Sequence, residues 1–262
     1  MSVQKPTREL SIEETLRWAF DLYMRNFVLF LAPVLVVSLI GGGISMVVSD
    51  YFASIPTLDP LAGEAALAQV WDALVASLAA LVLLLLAYWV MDSLVFGVCV
   101  KLAADSVEGG RASLGVAFGS ASRKLVSLLV ATFVVGIIVV FGLMLLLVPG
   151  VIFAVMFCLV VPVILVENVG ALDSLSRSRA LVRGRWLNTF VVFLVVLLIA
   201  GFVSYVGMLI GTPFGVFHWI VSAVLDAFAT PLVLILMAVH YYSMRAREQP
   251  PVPAPAPPLP PS

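Results

Sequence analysis

The chain has 262 residues, of which 63% are hydrophobic and only 11% are charged. A water-soluble fold of this composition would lack the polar surface needed to cover its apolar interior, which argues against a soluble globular domain. The net charge of −1 gives no reason to expect a nucleic-acid partner, and the two cysteines, Cys99 and Cys158, lie in apolar runs that do not suggest a disulfide framework or a metal site.

The N-terminal segment predicts an amphipathic helix at the membrane surface. Residues 11–14 fit a capping box that begins at Ser11, and apolar side chains recur at helical spacing from Ile12 to Phe27. Acidic residues precede the first apolar run, unlike the short basic start of a secretory signal. We therefore expect a helix at about 11–26 that is retained in the mature protein.

Six apolar runs follow, and most of them match the length needed to cross about 30 Å of hydrocarbon. They are residues 27–49, 68–100, 125–148, 151–167, 187–210 and 217–241. Pro149 and Gly150 predict a tight turn, so the third and fourth runs should form a hairpin. Because the fourth run is short, a re-entrant hairpin that does not cross the bilayer is an open alternative. The expected fold class is an all-α, polytopic membrane bundle.

All 14 lysine and arginine residues are placed on one side of the membrane by this layout. They precede the first span or follow the second, fourth and sixth, as Lys5, Arg8, Arg17 and Arg25; Lys101, Arg111, Arg123 and Lys124; Arg177, Arg179, Arg183 and Arg185; and Arg245 and Arg247. The other connections carry none, which is the asymmetry expected when basic loops stay in the cytoplasm. Six spans with both termini in the cytoplasm are therefore predicted.

Three basic segments share the pattern of an amphipathic helix that leads into a span. They are predicted at about 11–26, 113–124 and 171–186. A shift of 159 residues pairs Glu14 with Asp173 and Phe27 with Trp186, which suggests three repeats of an amphipathic helix plus a helix pair. At the headgroup level such helices serve either as structural collars or in lipid or partner binding.

The final residues, 249–262, are mostly proline, alanine and other small residues. This composition favours an extended, disordered cytoplasmic tail without a packed core. The transmembrane domain is accordingly assigned to residues 1–248.

Several motifs resemble those of a known family. They are Pro149-Gly150, residues 162–172 (PVILVENVGAL) and residues 178–186 (SRALVRGRW). Together with the segments 11–27 and 241–247, they are similar to the bacterial six-span proteins grouped with the membrane domain of glycerophosphoryl diester phosphodiesterase. The resemblance covers about residues 10–248. It implies a largely uncharacterised membrane domain in the bacterial inner membrane, and it does not imply hydrolase activity.

Two acidic residues lie inside predicted spans, where a charged side chain costs at least about 2.5 kcal/mol. Asp92 precedes Lys101 by nine residues, about 13 Å at helical rise, which places it near the middle of the bilayer. Asp226 precedes Tyr241 by fifteen residues and so lies closer to the outer face. This difference in depth argues against a paired proton site. Each is either a transport residue or a carboxyl that is protonated or bonded to a serine such as Ser93 or Ser222.

Four residues near the predicted cytoplasmic face are further candidates. Glu167 ends the fourth span before a basic helix, so it either organises an ion-pair network or marks the membrane boundary. Arg183, Arg185 and Trp186 could grip a lipid phosphate, but they also fit a simple role as interfacial anchors.

Weaker signals concern the shape of the helices. Pro162 and Pro231 are placed to kink their spans, and Gly207, Gly211 and Gly215 have the four-residue spacing of close helix contacts.

No nucleophile elbow, phosphate-binding loop or zinc-protease motif occurs in the sequence. We therefore expect no enzyme activity, no catalytic residue, no cofactor and no metal. The leading hypothesis is a membrane protein that contacts lipids, a membrane-protein partner or a second copy at its cytoplasmic face, in envelope maintenance. The alternative is a small transporter or permease that uses Asp92 and Asp226.

Overall fold

A computed structural model of the chain describes residue 6 and residues 8–54, 64–110 and 112–248. This part of the chain is all-helical and has no strands. In chain order the helices are α1 (Ile12–Arg25), α2 (Phe27–Ser54), α3 (Glu64–Val107), α4 (Leu114–Arg123), α5 (Leu125–Leu145), α6 (Leu147–Phe157), α7 (Val160–Val166), α8 (Ala171–Val182), α9 (Trp186–Gly211) and α10 (His218–Ala246). A 3₁₀ turn, Thr212–Phe217, joins α9 to α10.

Six helical segments of the described chain are long and apolar enough to cross a membrane. They are Phe27–Tyr51, Ser77–Val107, Leu125–Leu145, Leu147–Val166, Trp186–Gly215 and His218–Ala246. The helical membrane fold class and the expected number of spans are thus confirmed by length and composition.

Most of the helix surface carries large apolar side chains that no other helix covers. In the most apolar stretch of the second span only 6% of residues are buried, against 44% in the fourth and sixth spans. Leu83 and Met144, for example, are 69% and 79% exposed. In a membrane protein this surface faces hydrocarbon, which solvates leucine and methionine as well as a protein core does.

The best-packed part of the bundle lies at the end where the basic side chains collect. Helix α10 runs through its middle and packs against α9, α2, α1 and α3. Its last turns, from Leu234 to Met244, are almost entirely buried, together with the end of α3 and all of α7 up to Leu165. We call this half the basic end, and the other half, where His218 begins α10, the opposite end.

The turn between the third and fourth spans differs from the prediction. The break is at Leu146, whose extended backbone separates α5 from α6, while Pro149 and Gly150 lie in the first turn of α6. Proline is tolerated there because the first N–H groups of a helix have no partner within it. Gly142 and Gly150 bring the two helices together, since a Cβ on Gly142 would lie 2.8 Å from Gly150 Cα.

The fourth span is also divided into two helices. Helix α6 ends at Phe157 and α7 begins at Val160, so the helix is interrupted around Cys158 and Leu159. Pro162 explains this position, because it has no N–H to donate to the carbonyl four residues earlier. Pro231, by contrast, lies inside the continuous helix α10.

Helices α1, α4 and α8 lie where the sequence predicts amphipathic helices, but they begin differently. Ser11 and Glu14 form the complete capping box at the start of α1. Ser113 precedes α4 without a side-chain capping bond, and Gly170 precedes α8. Three internal repeats stay a prediction, and the tail at 249–262 lies outside the described residues.

Candidate functional site

A cavity of about 610 Å³ lies between α2, α3, α9 and α10. It begins beside His218 at the opposite end and extends to Leu234, about half-way along α10. Its lining is polar for membrane depth, since it includes two carboxyls and the hydroxyls of Ser38, Ser45, Tyr88, Ser204, Ser222 and Thr230. No lysine or arginine is among the described residues that line it.

The two carboxyls of the cavity are Asp92 of α3 and Asp226 of α10. A difference in depth between them is what the sequence predicts, yet both border the same cavity, because it extends along the helices. Asp226 accepts a hydrogen bond from the Ser204 hydroxyl of α9 at 2.9 Å, so its serine partner is not the neighbouring Ser222. Asp92 has no hydrogen-bond partner among the described residues. The cavity therefore combines a bonded carboxyl with one that is available to a ligand.

Two glycines of α2 allow the wall of this cavity to close. A Cβ on Gly41 would lie 2.5 Å from the Tyr88 ring of α3, and a Cβ on Gly42 would lie 2.9 Å from the Trp219 ring of α10. Real Cβ atoms do not approach that closely, so only glycine lets α2 pack directly on these rings. The position of Tyr88 beside Asp92 thus depends on Gly41.

At the basic end, Glu167 is the centre of a polar network. Its carboxylate accepts from Arg177 Nε at 2.8 Å and from the Tyr241 hydroxyl at 3.0 Å. Arg177 also pairs with Glu248 at 2.5 Å, and the bonds to Glu248 and Glu167 raise the pKa of its guanidinium further above its ordinary value. Glu167 therefore joins α7, α8 and α10, as its interpretation as an ion-pair organiser predicts.

The other three basic-end candidates are not equally free to bind a ligand. Arg185 pairs with Glu9 at 3.0 Å, and Glu9 also pairs with Arg247 at 3.5 Å. Trp186 stacks on Phe190 with ring centroids 5.3 Å apart, and its Nε1 is buried without a partner in the described chain. Arg183 is exposed and does not line the open groove that Arg185 and Trp186 share.

Some residues of these sites carry no clear signal in the sequence. Tyr88 and the cavity serines each interrupt an apolar run by one polar residue, which is common in spans and predicts no cavity. Glu9 stands far in sequence from Arg185 and Arg247, so only the fold brings the three together.

Residues 81–244, more than half of the chain, match the family described as a domain of unknown function, DUF7847. The chain belongs to the DUF7847 family. The DUF7847 region includes Asp92, Asp226, Glu167, Arg183 and Arg185, whereas α1 and α2 precede it. No curated protein and no solved structure matches the chain. The DUF7847 match does not link the chain to the membrane domain of glycerophosphoryl diester phosphodiesterase.

Proposed function

We propose that this DUF7847 protein is a non-enzymatic membrane protein that binds a small cationic solute in the cavity between α2, α3, α9 and α10, as a transporter or permease does. One observation carries the proposal: Asp92 and Asp226, from two different helices, line the same cavity of about 610 Å³, and no lysine or arginine is among the described residues that line it. An unpaired carboxyl at membrane depth is costly, and a cationic ligand would offset that cost.

The shape and chemistry of the cavity fit a small ligand. Its volume of about 610 Å³ lies within the range of about 300 to 1,000 Å³ that small-molecule sites occupy. The carboxyls would take the positive charge, while hydroxyls of the lining such as those of Ser38 and Thr230 can donate or accept hydrogen bonds. A primary or secondary amine combines both requirements.

The topology proposed with this function follows the positive-inside rule. The basic segments would face the cytoplasm, together with both termini, and the cavity would open toward the opposite face of a bacterial inner membrane. We retain the resemblance to the glycerophosphoryl diester phosphodiesterase membrane domain as part of this proposal, since it implies such a membrane. It contributes no hydrolase chemistry.

A second candidate function is contact with lipids or a protein partner at the basic end, in envelope maintenance. It is favoured by the concentration of arginines there, each of which gains about 1 kcal/mol near anionic lipid. Arg185 and Trp186 are already engaged by Glu9 and Phe190, which weakens their role as a lipid grip. Association with a second copy or another membrane protein stays a prediction.

Replacement of the two carboxyls by amides tests the proposed function. The full chain, in detergent, is screened with primary and secondary amines, and ligand binding is measured as a rise in the thermal unfolding midpoint. An amine that stabilises the wild type should bind Asp92→Asn and Asp226→Asn with at least tenfold lower affinity, because a charge-assisted hydrogen bond to the carboxylate is lost.

The matched control is Asp173→Asn, which removes an exposed carboxyl from the first turn of α8, outside the cavity. It should bind the amine as the wild type does. Equal stabilisation of the wild type, Asp92→Asn and Asp226→Asn by every binding amine would contradict the proposal.

A further inference from the structure

A second concave site lies at the basic end, apart from the cavity of the proposed function. It is a pocket of about 360 Å³ lined by Lys101 of α3, Ser120 and Arg123 of α4, Lys124, Leu165 and Asn168. Three of these six residues are cationic, and they come from two different helices and the α4–α5 junction. None of the three belongs to the candidates that the sequence singles out.

Two cations of the pocket, Arg123 and Lys124, are each held from one side and keep donors free. Lys124 Nζ donates to the Asn168 carbonyl at 2.9 Å, and Arg123 Nε donates to the Gly119 carbonyl at 2.9 Å. The two Nη groups of Arg123 and two N–H bonds of Lys124 then have no partner in the described part of the chain. Arg123 and Lys124 are thus positioned for a ligand without being neutralised by a described carboxylate.

The charge of the pocket favours an anion. Of the three cations only Lys101 is paired, with Asp105, whose Oδ1 is 2.7 Å from Lys101 Nζ, and no carboxylate is among the described residues that line the pocket. Lys124 and Arg123 form no ion pair with any described residue. An arginine fork and lysine ammonium groups bind phosphate well, through several charge-assisted hydrogen bonds.

The surroundings of the pocket favour a phosphate that is attached to a lipid. Span α5 begins at Leu125, directly after Lys124, and α7 ends at Val166, one residue after Leu165, so the pocket lies where spans reach the membrane surface. Val126 beside it is 74% exposed, and Val116, one turn before Ser120, is 58% exposed. Apolar surface next to a cationic pocket suits an amphiphile better than free phosphate.

We propose that this pocket binds the phosphate headgroup of an anionic phospholipid whose chains lie along the exposed apolar side chains of α4 and α5. Arg123 and Lys124 would hold the phosphate oxygens, and Lys101 would add its charge from α3. The proposal concerns a different end of the bundle from the amine site and holds whether or not that site binds an amine.

Native mass spectrometry of the full chain with added lipid tests this inference. Phosphatidic acid should remain bound to the wild type at least tenfold better than phosphatidylcholine of the same chains, because only its headgroup lacks a compensating cation. Arg123→Gln and Lys124→Gln should each weaken phosphatidic acid binding about tenfold, as expected when a charge-assisted hydrogen bond is lost.

Two further variants separate the pocket from general attraction and from misfolding. Arg179→Gln removes an exposed arginine of α8 that does not line the pocket, so it should leave lipid binding unchanged. Lys124→Arg keeps the charge and should retain binding. Equal loss in Arg179→Gln and Arg123→Gln, equal retention of both lipids, or full displacement of phosphatidic acid by millimolar inorganic phosphate would overturn the proposal.

Discussion

Two long-range hydrogen bonds connect α10 to α1 and to Leu10, which precedes α1. The Leu10 N–H donates to the Ser243 hydroxyl of α10 at 2.8 Å, and the Tyr23 hydroxyl of α1 donates to the Phe228 carbonyl at 3.0 Å. Leu10, Tyr23 and Ser243 are all buried, so each lost bond leaves a polar group without water. Neither contact is visible from the sequence, because the partners are more than 200 residues apart.

The burial of Tyr23 should make the free energy of unfolding depend on pH in the alkaline range. It raises the pKa of Tyr23 from 10.0 to about 12, so the unfolded chain releases this proton first. Between those pH values the unfolded state binds fewer protons, and the contribution of Tyr23 to stability falls as pH rises. In Tyr23→Phe the unfolding free energy should decline less over this range. An identical decline in both proteins would refute the assignment.

A buried pair of polar side chains connects α9 to α10. His240 Nε2 lies 3.1 Å from the Thr189 hydroxyl, and each residue is 1% exposed. Thr189→Val keeps the shape but removes the partner, so it should lower stability by about 1 kcal/mol. Thr132→Val is the control, since the Thr132 hydroxyl bonds only to carbonyls of its own helix. Equal losses in the two variants, measured by unfolding in detergent, would argue against the pair.

Among the elements, the spans were predictable and the breaks between them were not. Long apolar runs identify α2, α5 and α9 because hydrocarbon thickness sets their length. Pro149 and Gly150 suggest a turn, but the same residues are compatible with the first turn of a helix, and the break falls at Leu146. Gly207 and Gly211 do pack closely on α10, whereas Gly215 instead provides a positive φ of 56° in the turn.

The α5–α6 hairpin depends on the absence of side chains at Gly142 and Gly150. In Gly142→Ala the new Cβ would meet the Gly150 backbone, which has no flexible atom to move away, so we expect a loss of about 1–3 kcal/mol. Gly136→Ala lies in the same helix with nothing within 4 Å of its new Cβ. It should be neutral or slightly stabilising. The free energy of unfolding of both variants is measured in detergent. Equal values for Gly142→Ala and Gly136→Ala would contradict this role of Gly142.

The capping of the surface helices can be compared within one chain. Ser11→Ala removes the capping box of α1 and should cost about 0.5–2 kcal/mol. Ser113→Ala, at the same position before α4, should have little effect because Ser113 makes no capping bond. Hydrogen exchange of the first turns of α1 and α4 measures each helix separately. Equal effects in both would show that the capping box is not important for α1.

In the whole molecule, the apolar runs of the sequence predict the depth of each charged residue but not the position of a cavity. The intramembrane positions of Asp92 and Asp226 follow from their distances to the ends of apolar runs. Their meeting in one cavity depends on how α2, α3, α9 and α10 pack, and Gly41, which allows that packing, lies far from both in sequence. The candidate residues were therefore predictable, while their relation to each other was not.

In the six-span arrangement the basic segments share one side of the membrane, and the α9–α10 turn lies on the other. Single cysteines at Ser122, Ser176 and Phe214, in a chain whose native cysteines are replaced by alanine, can be labelled with an impermeant maleimide in intact and in inverted vesicles. We predict that the cysteines of Ser122→Cys and Ser176→Cys react from one side only, and that of Phe214→Cys from the opposite side only. Labelling of Ser122→Cys and Ser176→Cys from different sides would contradict the six-span arrangement on which the cavity and the phosphate pocket both depend.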